Sequence, residues 1–168
     1  VTGDRNIYAT RVTTAGVVQD PSGVAVSTAA LAQISPAIAF SNSGRFFVVW
    51  RDNRNDLAGD IFGARLRITG GALVNTYDPT GRSIGAAIGT QEEPAIAYNS
   101  SDNYRKYLVA WTDHRNFATA KTDIYANIID RNSGSVYYAT GTAIATTTTA
   151  ESQPALAPYS STGTMQFG

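Results

Sequence analysis

The sequence predicts an all-β chain built from repeated four-stranded sheets, on three observations. One stretch is written twice: residues 46–54 read FFVVWRDNR and residues 107–115 read YLVAWTDHR. Both copies and their flanks are short runs of β-branched and aromatic residues, the signature of strands. Prolines and glycines also punctuate the chain too often for a helix, and no stretch of about ten residues keeps a 3.6-residue period.

The elements follow in order within each copy. The lead-ins are Pro36-Ala37-Ile38-Ala39-Phe40 and Pro94-Ala95-Ile96-Ala97-Tyr98, whose alternation of Ala with larger residues predicts an inner strand packed closely on a neighbouring sheet. The apolar runs at 46–50 and 107–111 predict strands buried on both faces. The tails, Asp60-Ile61-Phe62-Gly63-Ala64 and Asp123-Ile124-Tyr125-Ala126-Asn127, predict the third strand. A turn then leads to a short fourth strand near Ser83-Ile84-Gly85, through Asp78-Pro79-Thr80-Gly81. Pro pre-sets φ in such a turn and Gly accepts positive φ.

Prolines at 36, 94 and 154 recur at intervals of 58 and 60 residues. Four antiparallel strands in about 60 residues is the size of a large β-propeller blade, and propellers carry about four to eight blades. The chain opens in the middle of a unit, since Ile7-Tyr8-Ala9 aligns with Ile61-Phe62-Gly63 and Asn6 stands where the other copies have Asp60 and Asp123. This gives a half-blade at 1–32, blades at 33–90 and 91–150, and a half-blade at 151–168. Together they make about three units with split terminal blades. The terminal halves read as complementary portions of one sheet. Three blades are too few for a ring, so three arrangements stay open: a closed dimer, a head-to-tail polymer, or part of a longer chain.

Composition narrows the function classes. Formal net charge is zero, with 13 basic and 13 acidic residues, which argues against a nucleic-acid footprint. No apolar run approaches the ~20 residues of a membrane span. Cysteine is absent, excluding disulfides and thiolate metal sites. The two lysines, single Met165 and many Thr, Ser, Ala, Asn and Gly residues suit an exported bacterial protein, secreted or held at the cell surface.

The repeated W-x-D-x-R and the Asp that follows it, comprising Trp50, Asp52, Arg54, Asp60, Trp111, Asp113, Arg115 and Asp123, are the most conspicuous polar residues. Recurrence in each unit reads as a structural staple, because a catalytic site needs differentiated residues. Each Asp is expected to bond turn amides, and each Arg to pair with the Asp opening the next strand. Asp52, Asp56 and Asp60 are weak candidates for a Ca²⁺ site, without EF-hand spacing. His114 is the only histidine and has no Ser or Cys motif beside it, so no triad is predicted. His114, Phe117, Tyr104 and Arg51 are weak candidates for ligand contact. No cofactor and no catalytic set is predicted.

These residues resemble repeats of exported bacterial proteins, including long ones from myxobacteria. The likeness lies in D-I-F-G-A-R-L, then G-V-V-Q-D-P-S-G-V-A-V-S-T-A-A, then S-P-A-I-A-F and F-V-V-W-R-D-N-R. It implies propeller blades and says little about activity. The sequence thus predicts a non-catalytic extracellular module binding a protein or glycan and assembling between chains or within a longer one. The alternatives are a structural subunit polymerising by strand sharing and a fragment of a propeller hydrolase.

Overall fold

A computed structural model describes residues 4–100, 105–116 and 121–158. Eleven strands lie in these residues, with no helix among them. The first sheet pairs β1 (Ile7–Ala9) with β2 (Val24–Ser27). The second runs β3 (Gln33–Phe40), β4 (Arg45–Asp52), β5 (Asp60–Thr69), β6 (Ala72–Val74), with β7 (Arg82–Gly85) also on β5. The third runs β8 (Gln91–Asn99), β9 (Lys106–Asp113), β10 (Asp123–Asp130), β11 (Thr142–Ala145). All pairings are antiparallel. Among the described residues the sheets are open and do not close into a ring.

The strands predicted in the two complete units are present, with two differences, whereas the strand expected after Pro154 is reduced to a bridge at Leu156 within residues 151–158. The second sheet has a fifth strand, because β5 is long enough for its first half to pair with β7 and its second half with β6. The lead-in strands also start three residues before Pro36 and Pro94, at Gln33 and Gln91. Each contains a bulge, between Ile34 and Ala37 and between Glu92 and Ala95. The residue before each repeated Pro is left-handed: Ser35, Glu93 and Gln153 have φ of 53°, 54° and 56°. A following Pro disfavours the right-handed helical region for its predecessor, and here the chain turns left-handed to seat the bulge.

The three outer hairpins share one register. Ile7↔Ser27 is followed by Tyr8↔Ala25, Ile61↔Gly85 by Phe62↔Ser83, and Ile124↔Ala145 by Tyr125↔Ala143, each with the same one-residue slip. The junctions between units repeat as well. Gln33 donates its backbone N–H to Arg5 (2.7 Å), Gln91 to Gly59 (2.9 Å) and Glu151 to Thr122 (2.9 Å), each acceptor just preceding a tail strand.

The sheets stack through three apolar layers. Ile7 and Val26 of the first sheet pack with Val48, Trp50, Phe62, Ala64, Leu66 and Leu73 of the second. Phe47, Val49, Ile61 and Ile84 face Tyr98, Tyr107, Val109, Trp111 and Ile129 of the third. Leu108, Ala110, Ile124 and Ala126 are covered in part by Leu156. Alternate residues of β4 serve opposite layers, and so Phe47, Val48, Val49 and Trp50 are all at most 4 % exposed. This is the two-faced burial the sequence predicts. The lead-in strands differ from each other: Tyr98 is buried, whereas Ile38 and Phe40 are 57 % and 56 % exposed. No ladder joins β1–β2 to residues 151–158, and most of the predicted closing half-blade lies outside the described residues.

Glycine sets how closely the sheets approach. A Cβ on Gly85 would stand 2.4 Å from Trp111 Cζ2, and one on Gly141 2.4 Å from Trp111 Cη2, so the indole lies between two glycines. Overpacking of this kind costs about 1–3 kcal/mol. Gly85→Ala should destabilise the chain by about that amount in urea unfolding followed by tryptophan fluorescence. An unchanged midpoint would show that the two sheets separate easily.

Candidate functional site

The W-x-D-x-R residues form the same constellation twice. On a strand, residues two apart share a face, so Trp50 and Asp52 lie together, as do Trp111 and Asp113. Trp50 Nε1 donates to Asp52 Oδ2 at 2.7 Å, and Trp111 Nε1 to Asp113 Oδ2 at 2.8 Å. The backbone N–H of Arg54 donates to Asp52 Oδ1 at 2.9 Å, and that of Arg115 to Asp113 Oδ1 at 2.8 Å. Each guanidinium then folds back on the same Asp, at 2.5 Å from Arg54 and 2.7 Å from Arg115. It also reaches the turn before the last strand, donating to the carbonyl of Thr80 or of Thr140. Arg54 lies over the Phe62 ring and Arg115 over Tyr125, at 4.3 and 3.6 Å from the centroids.

One sequence expectation is corrected. Arg54 and Arg115 pair with the Asp of their own motif, not with the Asp that opens the next strand. Asp60 and Asp123 instead accept from Asn55 and Asn116, at 2.8 and 2.6 Å. The strand ends at Asp52 or Asp113, and the tight turn brings the guanidinium back over the carboxylate just passed.

The acidic loop is absorbed locally. Asp52 is fully buried on Trp50 and Arg54, Asp56 caps Gly59 N–H at 2.8 Å, and Asp60 meets Asn55. Among the described residues no three His, Cys, Asp or Glu side chains gather as a cation would need. Burial pushes the Asp60 carboxyl above its ordinary range, partly offset by Asn55 and reinforced by Asp56 and Asp52.

Arg51 and His114 converge on one carboxylate. Arg51 Nη1 donates to Glu92 Oε2 at 2.8 Å, and His114 Nε2 lies 2.9 Å from Glu92 Oε1. Arg51 also donates to the Ala58 carbonyl at 2.9 Å, so it ties the second sheet to the third. Tyr104 and Phe117 lie outside the described residues.

A second polar site went unread in the sequence. At the strand ends opposite the staples, Arg45, Arg65, Arg67 and Arg131 line a cleft of about 200 Å³ with Tyr77 and Asn132. Arg65 makes a fork on Asp78, at 2.8 and 3.1 Å, and Arg82 shares that carboxylate. Burial alone would raise Asp78; hydrogen bonds from Arg65 and Arg82 outweigh it and hold the carboxyl below its usual range. Among the described residues the other three arginines have neutral partners only. Arg45 Nη1 donates to Asn132 Oδ1 at 2.6 Å, Arg67 Nη1 to the Tyr77 hydroxyl at 3.0 Å, and Arg131 Nη1 to the Ser41 carbonyl at 3.0 Å. Arg131 is 9 % exposed, and its Nε is buried without a partner. Burial pushes the nearby Tyr107 hydroxyl up to about 12, so it stays neutral. The legible signal was G-A-R-L-R: two arginines two apart share one face of a strand. Arg131 comes from another unit, and no spacing rule reaches it.

No family model matches the chain, and no curated protein or solved structure matches it either.

Asp60 supplies a test with a definite sign. A carboxyl whose folded pKa is raised reduces stability above that pKa, and the loss vanishes below the unfolded value of about 3.9. Asp60→Asn, the residue Asn6 already supplies in the first unit, should raise unfolding free energy at neutral pH. The gain should disappear as pH falls below about 3.9. Urea titrations across that range measure it, and a gain that persists in acid would assign the effect elsewhere.

Proposed function

We propose that the chain is a non-catalytic interaction module of propeller-type repeats, exported to the cell exterior, whose incomplete first sheet is completed by another repeat segment. The observation that carries this is the pair β1–β2. It has the register and bulge of β5–β7 and β10–β11, but lacks the two strands that precede them in a full unit. The consequences are visible on its neighbour. Ile96 and Tyr98 of β8 pack on a layer that Ala37 and Ala39 of β3 help to form. Their equivalents Ile38 and Phe40 have no such strand before them among the described residues, and stay more than half exposed. Tyr8, on the open hairpin, is 55 % exposed as well.

Residues 151–158 have the complementary character. Ala155 and Ala157 correspond to Ala37 and Ala39 after the repeated Pro. In this reading they, with the residues that follow, supply the missing lead-in strand to a second copy, or to a neighbouring unit of a longer chain. The resemblance to exported bacterial repeats and the lysine-poor, cysteine-free composition support the same reading. A strand-sharing polymer is the second reading, favoured by the open edge of β1, which an added strand would satisfy by backbone hydrogen bonds.

In either arrangement the isolated chain leaves apolar surface uncovered. Sedimentation velocity should show reversible association that rises with concentration, and Phe40→Asp should suppress it while leaving the circular dichroism unchanged. Monomers alone at the highest soluble concentration would contradict the reading.

A further inference from the structure

The arginine cleft breaks the repeat, and the way it does so points to a ligand. In the third sheet the last residue of β10 and the first of β9 face each other as Asp130 and Lys106, in an ion pair of 2.8 Å. The equivalent pair in the second sheet is Arg67 facing Arg45 across the β4–β5 ladder. Like charges directly opposed on a sheet are destabilising. The chain therefore carries a repulsive pair where its own repeat shows a salt bridge. Arg65 belongs to the repeat, since its fork on Asp78 reproduces that of Arg11 on Asp20 in the first unit, and the departure is confined to Arg45, Arg67 and Arg131. Arg131 adds a nearly buried guanidinium with no carboxylate partner among the described residues and an unsatisfied Nε. Buried charges are ordinarily paired, because desolvation without compensation is costly. Among the described residues four guanidinium groups thus meet one carboxylate, Asp78, which Arg82 also shares, in a chain of zero net charge.

We propose that this cleft binds an acidic saccharide through a single oxyanion, a sugar carboxylate or sulfate seated between Arg45, Arg67 and Arg131. Planar guanidinium donors match such oxygens in forked pairs. The half-exposed Tyr77 ring at the cleft offers an apolar face to the sugar beside its charged group. An extended peptide is less well suited, because β4 and β5 are each paired on both sides at this end and present no edge for strand addition.

The test separates ligand binding from a structural role, because one substitution should move the two in opposite directions. Arg67→Asp recreates the charge pairing of the third sheet, so it should raise the urea midpoint of the free chain while removing the site. Calorimetric titration at matched ionic strength with glucuronate and with a sulfated glucose should show binding, and uncharged glucose none. Affinity should fall about tenfold or more in Arg67→Asp and in Arg45→Ala, the loss typical of a charge-assisted hydrogen bond. Three results would each overturn the proposal: neither acidic sugar binding better than glucose, unchanged affinity in both variants, or a glutamate-rich peptide binding in preference to both sugars.

Discussion

The structure depends on a buried carboxylate that must be saturated with donors. Asp52 and Asp113 are fully buried, and a carboxylate in that setting persists only with hydrogen bonds and a counter-charge. Each takes an indole N–H, a backbone N–H and a guanidinium. The guanidinium is then held so that it also reaches the carbonyl of Thr80 or Thr140. That second bond draws the turn before the last strand over the central one. Glycine at 81 and 141 allows the approach, since a Cβ at either would stand 2.8 or 2.4 Å from the underlying indole. One ion pair per unit thereby links the second strand, the indole and the outer hairpin. Removing one partner of such a buried pair costs about 3–5 kcal/mol, most of it from the charge left behind.

What recurs and what does not recur have different meanings. The staple, the bulge before each Pro and the junction hydrogen bonds appear in every unit that can hold them, as scaffold does. The Arg65 fork on Asp78 recurs as Arg11 on Asp20, but the Arg45–Arg67 pair appears once, and it replaces a salt bridge with a repulsion. A stable fold gains nothing from that exchange, and the proposed oxyanion site rests on this imbalance. Propeller closure, export and non-catalytic binding remain parts of the proposal, supported by the repeated sheets and by composition.

Much of the fold was legible because its signals are local. The runs at 46–50 and 107–111 are too apolar and too β-branched for anything but buried strands, and the turns carry their own Pro and Gly chemistry. The left-handed Ser35, Glu93 and Gln153 were not legible, because none is a residue that favours positive φ. The partner of Arg54 was misread: sequence spacing offers two carboxylates, and only the turn geometry chooses between them. Arg51 looked available and is instead spent on Glu92, a contact between sheets that no pattern within one strand could reveal. The cleft was missed for the same reason, since it is assembled from the ends of β4, β5 and β10.

The chain has two tryptophans, one in each staple, and this makes the central claim directly measurable. Hydrogen exchange of the two indole Nε1–H groups by NMR reports whether each is locked to its buried carboxylate. If the staples hold the sheets together, both should be among the slowest protons in the molecule and should exchange only with global unfolding. Exchange of either indole at the rate of a solvent-exposed one would contradict the account.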